Sequence, residues 1–560
     1  MTGKIYDIFV PNEIPEKPFQ ILFVGESPGE DEEYLLRPFV GNAGNVLLEM
    51  LLKNGLGRED VGLANLCNFR PQNNHFEILI NSPQLVVGIN SIHDIINTRQ
   101  PNVICPLGKY PTEYLTGKSG IGRYRGSILT GFGKGKYIPT YHPSFITRNK
   151  DKYPIFSADI RRVVSDSKFP ELRYAQREYI IVEDEYGAYE WAEKLIHAKE
   201  LACDIESVKK TGEILCVGFA DSPNRAICFV YNTYTKPLIT KILESPAEKI
   251  FHFGTFDVQK LFAEGIITQN YRYDTFQMQH ILEPELPKSL DFLTSILTRE
   301  PYYKQEGRGE LPEDTKVWSE KVDKKSLYVY NCKDCCVTFE SKLELEKDLE
   351  DWSVKVLEHE MEMVKIALEI SRTGMLVDMD RRETFRLSLL YEWNTKQYFL
   401  NSLAGKYINV NGKQTLYDFL YIDLKLPIRR NYDGGITADE PAIVSLITHT
   451  NNYLGNLKQA KAITDWNVKL EVLKLILEIR GIRKLLSSYI KPRVSADNRA
   501  RSTYKISNET GRWACEKFVD GSGFNAQTMP RGDINIPDNL SEPIDFSKLI
   551  SQLNEDEEAA

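Results

Sequence analysis

The stretch Leu201-Ala-Cys-Asp-Ile-Glu206 decides how the middle of this chain folds. Its apolar residues predict a buried β-strand. Alternate side chains of a strand lie on the same face, so Asp204 and Glu206 project together. Two carboxylates at that spacing repel each other unless a cation lies between them. The stretch therefore predicts a strand that carries a metal site.

Three residues further along the chain could complete this site. Asp257 follows the apolar segment Ile250–Phe253, and Tyr330 and Asp334 are spaced to share one face of a helix. Two divalent metal ions held by such carboxylates can activate a water and stabilise the leaving 3′ oxygen in phosphodiester hydrolysis, while a tyrosine positions the nucleophile. The pattern favours a metal-dependent nuclease.

The order and spacing of these residues resemble the three motifs of the DEDDy 3′–5′ exonucleases, the proofreading module of family-A DNA polymerases. The motifs read Asp204-Ile-Glu206, His252-Phe-Gly-Thr-Phe-Asp257 and Tyr330-Asn-Cys-Lys-Asp334. The resemblance covers residues 178–345 and implies a ribonuclease-H-like α+β fold, Mg²⁺ or Mn²⁺ at a two-metal site, and the 3′ end of a DNA strand as substrate. It implies that the four acidic residues hold the metals and that Tyr330 acts with them in catalysis. Phe253 stands where the family usually has Asn, which predicts an altered grip on the terminal nucleotide.

The first region has its own polar loop after an apolar strand. Gly25-Glu-Ser-Pro-Gly29 follows Ile21–Val24, and such a turn brings backbone N–H groups close to a ligand. Glu26 could orient or activate a water there. Apolar segments and loops alternate up to Val164, which predicts an α/β sandwich.

This region resembles the uracil-DNA glycosylase superfamily, most closely its iron–sulfur members, over residues 21–162. The matching segments are Gly25–Gly29, Arg37-Pro-Phe-Val-Gly-Asn-Ala-Gly44, Asn65, Arg70-Pro71 and His142-Pro-Ser144. The resemblance implies that Phe39 stacks on a flipped base, Asn65 reads its Watson–Crick edge and His142 stabilises charge on the departing uracil. Glu26 would position the water.

The first region also departs from that family. No cysteine precedes Cys67, and Phe69 occupies a position where the iron–sulfur members have Cys, so we expect no iron–sulfur cluster. Leu36 replaces a usual Gly, and the acidic run Glu30–Glu33 crowds a groove that should meet phosphate. Base excision and a purely DNA-docking role both remain open.

The third region is predicted to be mainly helical. Leu357, Met361, Val364 and Leu368 recur at helical spacing, and Gly374 marks a stop. A second long helix is predicted over residues 469–490. Its residues Arg480 and Lys484, with Lys491 just beyond, form a basic stripe that could face phosphates or simply solvent.

From residue 358 onward the chain resembles the start of the family-A polymerase domain. The matching segments are Arg372–Asp378, Ile408–Gln414, Leu426-Pro427, Thr437–Glu440, Glu478–Lys484, Ser488–Ile490, Thr510–Arg512 and Asn525–Arg531. The resemblance implies the thumb and the edge of the palm. It also implies that the basic stripe, with Arg512, tracks primer–template DNA through its phosphates.

The palm carboxylates and the fingers helix of that family do not follow Arg531. A split polymerase and a truncated one both explain this. The polar, acidic finish favours the split form, with palm and fingers on a second polypeptide and a bacteriophage-like replication role. The predicted domains are 1–168 (glycosylase-like), 178–345 (exonuclease), 350–532 (thumb side) and an acidic tail, 533–560. The rival function is a non-catalytic DNA-binding scaffold that completes another chain's polymerase.

Composition limits the remaining classes. The 560 residues suffice for several domains, and a net charge of -9 excludes a uniformly basic nucleic-acid coat. The nine cysteines are scattered, so a disulfide scaffold is not expected, and Cys332, Cys335 and Cys336 are interpreted as core thiols. With no signal peptide or membrane span in the pattern, we expect no membrane partner and a cytoplasmic location, in the host if the protein is viral.

Overall fold

The computed structural model describes residues 5–133, 135–208, 213–304, 324–506 and 512–529. The chain divides into two compact units, one of residues 1–368 with 505–513 and the other of residues 369–504 with 514–560. The division falls inside a helix, whereas the sequence predicts a boundary near residue 350. The predicted acidic tail and Arg531 lie outside the described residues.

The first domain of the first unit is built on a parallel sheet. Its strands are β1 (Ile5–Phe9), β2 (Ile21–Gly25), β3 (Gly62–Asn65), β4 (Phe69–Pro71), β5 (Val103–Pro106) and β6 (Lys136–Tyr137). Its helices are α1 (Glu30–Leu35), α2 (Asn42–Lys53), α3 (Pro83–Arg99), α4 (Lys109–Thr116), α5 (Ile121–Tyr124), α6 (Pro143–Arg148) and α7 (Tyr153–Asp166). Strands β3, β2, β5 and β6 pair in that order and run parallel, while β1 and β4 form a separate antiparallel ribbon.

Strand β2 shows why this domain is a sandwich. Ile21 and Phe23 belong to one buried apolar cluster, and Leu22 and Val24 to another. A strand with apolar side chains on both faces needs cover on both sides, which the helices supply. The predicted α/β/α sandwich is confirmed.

The second domain carries a mixed six-stranded sheet. Its strands are β7 (Glu178–Val182), β8 (Glu200–Ser207), β9 (Ile214–Ser222), β10 (Arg225–Val230), β11 (Glu248–Phe251) and β12 (Tyr271–Asp274). Its helices are α8 (Glu185–Leu195), α9 (Thr235–Glu244), α10 (Thr255–Ala263), α11 (Thr275–Leu282), α12 (Leu290–Leu297) and α13 (Lys324–Glu346). The sheet order is β12-β11-β8-β9-β10-β7, and β8, β9 and β10 form an antiparallel meander.

Helix α13 packs across the meander. Cys332, Cys335 and Cys336 on this helix are buried in the core against the sheet, which agrees with their interpretation as core thiols. All nine cysteines are buried and free of disulfides.

The first and second domains share an interface within the first unit. Arg162 on α7 donates hydrogen bonds to the carbonyls of Ile296 (3.0 Å) and Thr298 (2.6 Å), at the end of α12. Arg299 pairs with Asp166 at 3.1 Å. The segment that leads from α12 towards residue 304 is therefore held against the first domain.

The second unit is mainly helical, as predicted. Helix α14 (Asp351–Thr373) spans the division between the units, and α15 (Met379–Ala404), α16 (Lys413–Tyr417), α17 (Glu440–Leu454) and α18 (Ala460–Leu485) follow. The short strands are β13 (Met375–Leu376), β14 (Arg499–Ala500), β15 (Ser502–Lys505) and β16 (Ala514–Lys517). The predicted apolar face of α14 is buried, and Gly374 after it takes a positive φ of 61°. Among the described residues, no helix has both the length and the apolarity needed to cross a bilayer.

Candidate functional site

The parallel sheet of the first domain creates a crevice at the carboxyl ends of its strands. Strand β2 has β3 on one side and β5 on the other, and ligands of such sheets bind where the connections diverge in this way. Glu26 follows β2 directly, Asn65 ends β3, Gly108 comes shortly after β5, and His142 follows β6. The topology therefore brings polar residues that are far apart in sequence to one edge.

Two close approaches assemble these residues into a pocket. A Cβ atom on Gly25 would lie 2.5 Å from Oδ1 of Asn65 and 2.8 Å from Cζ of Phe39, so both side chains lie against this glycine. Gly108 has a φ of 94°, and a Cβ there would lie 2.9 Å from Cβ of His142 and 3.1 Å from Oε1 of Glu26. The structure thus brings the four predicted pocket residues together around two glycines.

The acidic run before Phe39 has a structural task. Glu32 accepts hydrogen bonds from the backbone N–H groups of Gly29 (3.0 Å), Val40 (3.2 Å) and Gly41 (3.0 Å). Arg58 holds the same loop from the other side by donating to the Phe39 carbonyl at 2.8 Å. The sequence indicated that this run crowds a phosphate groove, but Glu32 turns inward and shapes the loop that carries Phe39.

Burial shifts the pKa values of two pocket groups away from their ordinary values. Desolvation raises the pKa of Glu26 to about 7, and a hydrogen bond from the Tyr110 backbone only partly opposes this. Burial lowers the pKa of His142 to about 4. His142 Nδ1 accepts a hydrogen bond from the Ser144 N–H at 3.2 Å, so the proton of the neutral ring lies on Nε2. His142 can therefore donate a hydrogen bond to a base oxygen without carrying charge.

An iron–sulfur cluster does not fit this domain. Such clusters need several cysteine thiolates at one point, and residues 1–167 contain only Cys67 and Cys105. Cys67 is buried in one of the two apolar clusters that flank β2, and Cys105 is buried in the other.

The second site lies on the mixed sheet, where strand β8 and helix α13 meet. Asp204 and Glu206 on β8 and Asp334 on α13 each offer a carboxylate oxygen, and these oxygens lie within 4.8 Å of one another. Hard divalent cations such as Mg²⁺ and Mn²⁺ take oxygen ligands of this kind, so the residues fit the implied metals. Burial raises the pKa of Asp204 well above its usual range, and the charges of Asp334 and Glu206 add to the effect.

Asp257 lies beside this group but outside it. Its Oδ1 accepts a hydrogen bond from the Ile205 N–H at 3.3 Å, between the two acidic residues of β8. Burial raises the pKa of Asp257 to about 7. Three of the four predicted metal ligands therefore lie close together, and the fourth, Asp257, is adjacent to strand β8.

Several side chains donate hydrogen bonds to the group of three carboxylates and offset its negative charge. The sequence analysis did not predict these side chains. Lys304 donates to both oxygens of Asp334, at 2.7 and 2.8 Å, and to the hydroxyl of Tyr330 at 2.9 Å. The Tyr303 hydroxyl also donates to Asp334, and Asn331 Nδ2 donates to Asp204 Oδ2 at 2.8 Å. Burial lowers the pKa of Lys304, but Asp334 and Tyr330 more than offset this, so its pKa is raised and it stays charged.

The second motif forms a turn that is fixed by Asp274. Phe253 has a positive φ of 55°, and its N–H donates to Asp274 at 2.9 Å, as does that of Gly254 at 3.1 Å. Asn tolerates this backbone conformation better than Phe, which gives a physical reason for the family's usual residue. The Phe253 ring instead packs on Phe276, with centroids 4.9 Å apart.

The residues of the predicted basic stripe in the thumb-side region differ in their surroundings. Arg480 is half-buried and donates to the carbonyls of Val410 (2.6 and 2.9 Å) and Ala438 (2.7 Å), so it braces the helical core instead of facing a phosphate. Lys484 and Lys491 are exposed. Arg512 is exposed too, but belongs to the first unit.

Comparison with known proteins agrees with this geometry. Residues 11–167 match the uracil DNA glycosylase superfamily, and residues 179–350 match the 3′-5′ exonuclease family of the DNA polymerase A type. A type-4 uracil-DNA glycosylase of Thermotoga maritima is 37% identical over 147 residues, which is 26% of this chain and 72% of the relative. That of Saccharolobus solfataricus is 38% identical over 157 residues, 26% of this chain and 69% of the relative.

One solved structure also aligns with the chain at low similarity. It is the POL domain of Pol1 from M. smegmatis in complex with DNA primer-template and dNTP, at 16% identity and a TM-score of 0.42. The alignment covers 64% of this chain and 56% of the other.

Proposed function

Because the chain belongs to the uracil DNA glycosylase superfamily through its first domain and carries a 3′-5′ exonuclease domain after it, we propose that this DNA-processing protein degrades DNA from the 3′ end with Mg²⁺ or Mn²⁺. The observation that carries the proposal is the group of Asp204, Glu206 and Asp334, whose oxygens lie within 4.8 Å of one another. Bound divalent ions would supply an activated water and charge stabilisation of the leaving oxygen. Asp257 would complete the ligand set, and Tyr330 would orient the nucleophile.

Degradation of a 5′-labelled single strand tests this function. The purified chain should shorten the strand from its 3′ end in Mg²⁺ or Mn²⁺ and not in a chelator. Asp204→Ala should reduce the rate of degradation by about 10³-fold or more. The metal ligands act as one catalytic unit, so the loss of one of them removes most of the activity. Asp221→Ala is the matched control, since Asp221 pairs with Arg225 on the same sheet and touches none of the three grouped carboxylates. Full activity of Asp204→Ala would contradict the ligand assignment.

A second function, recognition and excision of uracil, is supported by the pocket around Gly25 and Gly108. Phe39 could stack on a flipped base, Asn65 could read its edge, and the neutral His142 could donate to its oxygen. Glu26 could hold the attacking water. A uracil-containing strand should acquire abasic sites, and Asn65→Ala and His142→Ala should each slow this step. Tight binding of uracil DNA without abasic sites would favour the docking role instead.

The replication role is the third part of the proposal. Residues 350–532 would serve as the thumb side of a family-A polymerase in DNA replication. Exposed Lys484 and Lys491 of the second unit support phosphate contact with primer–template DNA. Arg512, exposed on the first unit, is proposed as a phosphate contact of its own. The affinity should fall with salt, with a log–log slope of about -0.9 per phosphate neutralised. An affinity that does not change with salt would contradict the phosphate contacts, and DNA binding without nuclease activity would favour the scaffold alternative.

A further inference from the structure

Lys304 uses most of the hydrogen-bonding capacity of Asp334. A carboxylate has about four lone-pair sites. The Lys304 ammonium takes one on each oxygen, at 2.7 and 2.8 Å, and the Tyr303 hydroxyl takes a third. A divalent ion that binds Asp334 must therefore replace at least part of this arrangement.

The positive charges of Lys304 and of a divalent ion make the two compete for Asp334. The Lys304 side chain is 15% exposed and pairs with the Asp334 side chain, which is 8% exposed, so little solvent screens the pair. An ammonium and a divalent cation on the same carboxylate would repel each other strongly in these surroundings. Lys304 and a metal ion cannot both hold Asp334 at full strength.

The Lys304 side chain can move although the two residues before it are anchored. Tyr303 is buried with its hydroxyl on Asp334, and the Tyr302 ring packs edge-on against Tyr124 of the first domain, with centroids 5.4 Å apart. A four-carbon side chain can swing from such an anchor. The rings of Tyr303 and Tyr330 already lie 5.2 and 4.8 Å from its Nζ and could hold the ammonium after it leaves Asp334.

We infer that Lys304 is a displaceable internal cation, a positioning residue that holds Asp334 and Tyr330 in place before metal binding and competes with the divalent ion for Asp334. The inference rests on the proposed exonuclease function. Its consequence is that Lys304 sets the metal concentration at which the site becomes loaded.

Titration of the full chain with Mn²⁺, without DNA, tests the inference. Free Mn²⁺ is followed by electron paramagnetic resonance. Lys304→Met and Lys304→Gln should each bind Mn²⁺ roughly tenfold more tightly than the wild type, whereas Lys304→Arg should bind like the wild type. Lys194→Met, which breaks an exposed pair with Glu190 on the same domain, is the control and should leave the Mn²⁺ affinity unchanged.

If Lys304 had a purely structural role, its neutral variants would bind Mn²⁺ more weakly, not more tightly. Loss of a merely stabilising lysine would loosen the carboxylates and weaken metal binding, so unchanged or weaker Mn²⁺ affinity in both neutral variants would overturn the inference. Circular dichroism at saturating Mn²⁺ checks that each variant is folded, and two neutral variants guard against the failure of one. If the wild type neither binds Mn²⁺ nor degrades DNA, the proposed function itself fails. If it does both and the variants match it, only the inference about Lys304 fails.

Discussion

The two sites of the first unit surround their buried acidic groups with different partners. In the glycosylase-like pocket, Glu26 follows a strand end, and burial raises its pKa to about 7, so the group can be neutral. In the exonuclease site three carboxylates lie within 4.8 Å of one another, and Lys304 and Asn331 donate hydrogen bonds to them. Burial raises carboxyl pKa values in both sites, but the second site also places a lysine ammonium on one of its carboxylates.

The two sites also differ in the groups that hold their side chains in position. Glycines shape the pocket, because Gly25 and Gly108 allow the close approach of its side chains, and Glu32 fixes the backbone of the Phe39 loop. Long side chains set the exonuclease site, and these can change partner when a metal binds. The pocket should therefore tolerate little change, whereas the exonuclease site should respond to its ions.

The largest effect should come from forcing a side chain into the backbone-built pocket. A Cβ on Gly44, in α2, would lie 2.0 Å from the Phe39 carbonyl oxygen, and a backbone atom cannot move aside easily. Gly44→Ala should lower the local stability of the Phe39 loop by more than about 3 kcal/mol. Hydrogen exchange of the peptides around Phe39 measures this.

The neighbouring Asn45 provides the control for that prediction. Asn45 is exposed on the same helix, and Asn45→Ala should leave the exchange of the loop unchanged. Equal protection in Gly44→Ala and the wild type would show that the backbone around the pocket is not rigid, and the contrast between the sites would be lost.

The next effect tests whether the pocket really avoids charge. The pKa of Glu26 lies at about 7 in the folded state against an ordinary 4.5, so between these values the folded state keeps a proton that the unfolded state has lost. Stability therefore falls as pH rises through this window. Above it, the buried charge costs up to about 3 kcal/mol.

Glu26→Gln removes that charge. The variant should be more stable than the wild type at pH 8.5 and equal to it near pH 4.5, measured by hydrogen exchange corrected for intrinsic rates. Glu59→Gln replaces an exposed carboxylate of the same domain and serves as the control. A pH-independent difference for Glu26→Gln would mean that the carboxyl is hydrated, against the interpretation of a charge-avoiding site.

The same contrast explains how far sequence reasoning reached. Glu26 can be predicted because it directly follows a strand with a clear apolar pattern, whereas Asn65 is predicted only through the resemblance to the uracil-DNA glycosylase superfamily. The parallel sheet then explains why the two residues meet, since it aligns the carboxyl ends of their strands. Asp204 and Glu206 were found from the period of two along a strand. Periodicity also gave the buried face of α14, including Met361 and Val364.

Residues that act through tertiary contact left no such signal. Lys304 is far from Asp334 in sequence and follows no helical or strand repeat, so only the fold brings its ammonium to the carboxylate. Arg480 follows the same helical spacing as Lys484, yet the fold turns its guanidinium onto the Val410 carbonyl. Asn331 could have been suspected, because it stands inside the segment from Tyr330 to Asp334.

A smaller effect tests compensation in the exonuclease site. Asn331 is fully buried and donates to Asp204 at 2.8 Å. Asn331→Asp replaces this donor with an acceptor and adds like charge, which should cost about 1–3 kcal/mol at pH 8 without metal. Low pH should restore part of the stability, since a protonated Asp can donate again.

Thermal unfolding of the exonuclease domain, followed at pH 8 and pH 5 with and without Mn²⁺, measures this cost. Mn²⁺ should recover more stability in Asn331→Asp than in the wild type. Asn270→Asp, an exposed amide in the same domain, is the matched control. If Mn²⁺ fails to narrow the gap, Asn331 has no electrostatic link to the acidic group.

The smallest effect concerns Leu36, at the end of α1 near the pocket. Leu36 has a φ of 52°, a left-handed conformation that costs a non-glycine residue about 1 kcal/mol, and its side chain is 53% exposed. Leu36→Gly should therefore stabilise the loop by about 0.5–1 kcal/mol, since little packing is lost and part of the gain is spent on the more flexible unfolded chain. Leu35→Gly, at the last residue of α1, should instead destabilise the helix by about 0.5 kcal/mol. The comparison by hydrogen exchange separates strain from packing: if both variants lose protection, Leu36 contributes contacts that outweigh its strain, and the backbone of this pocket is less constrained than its glycines indicate.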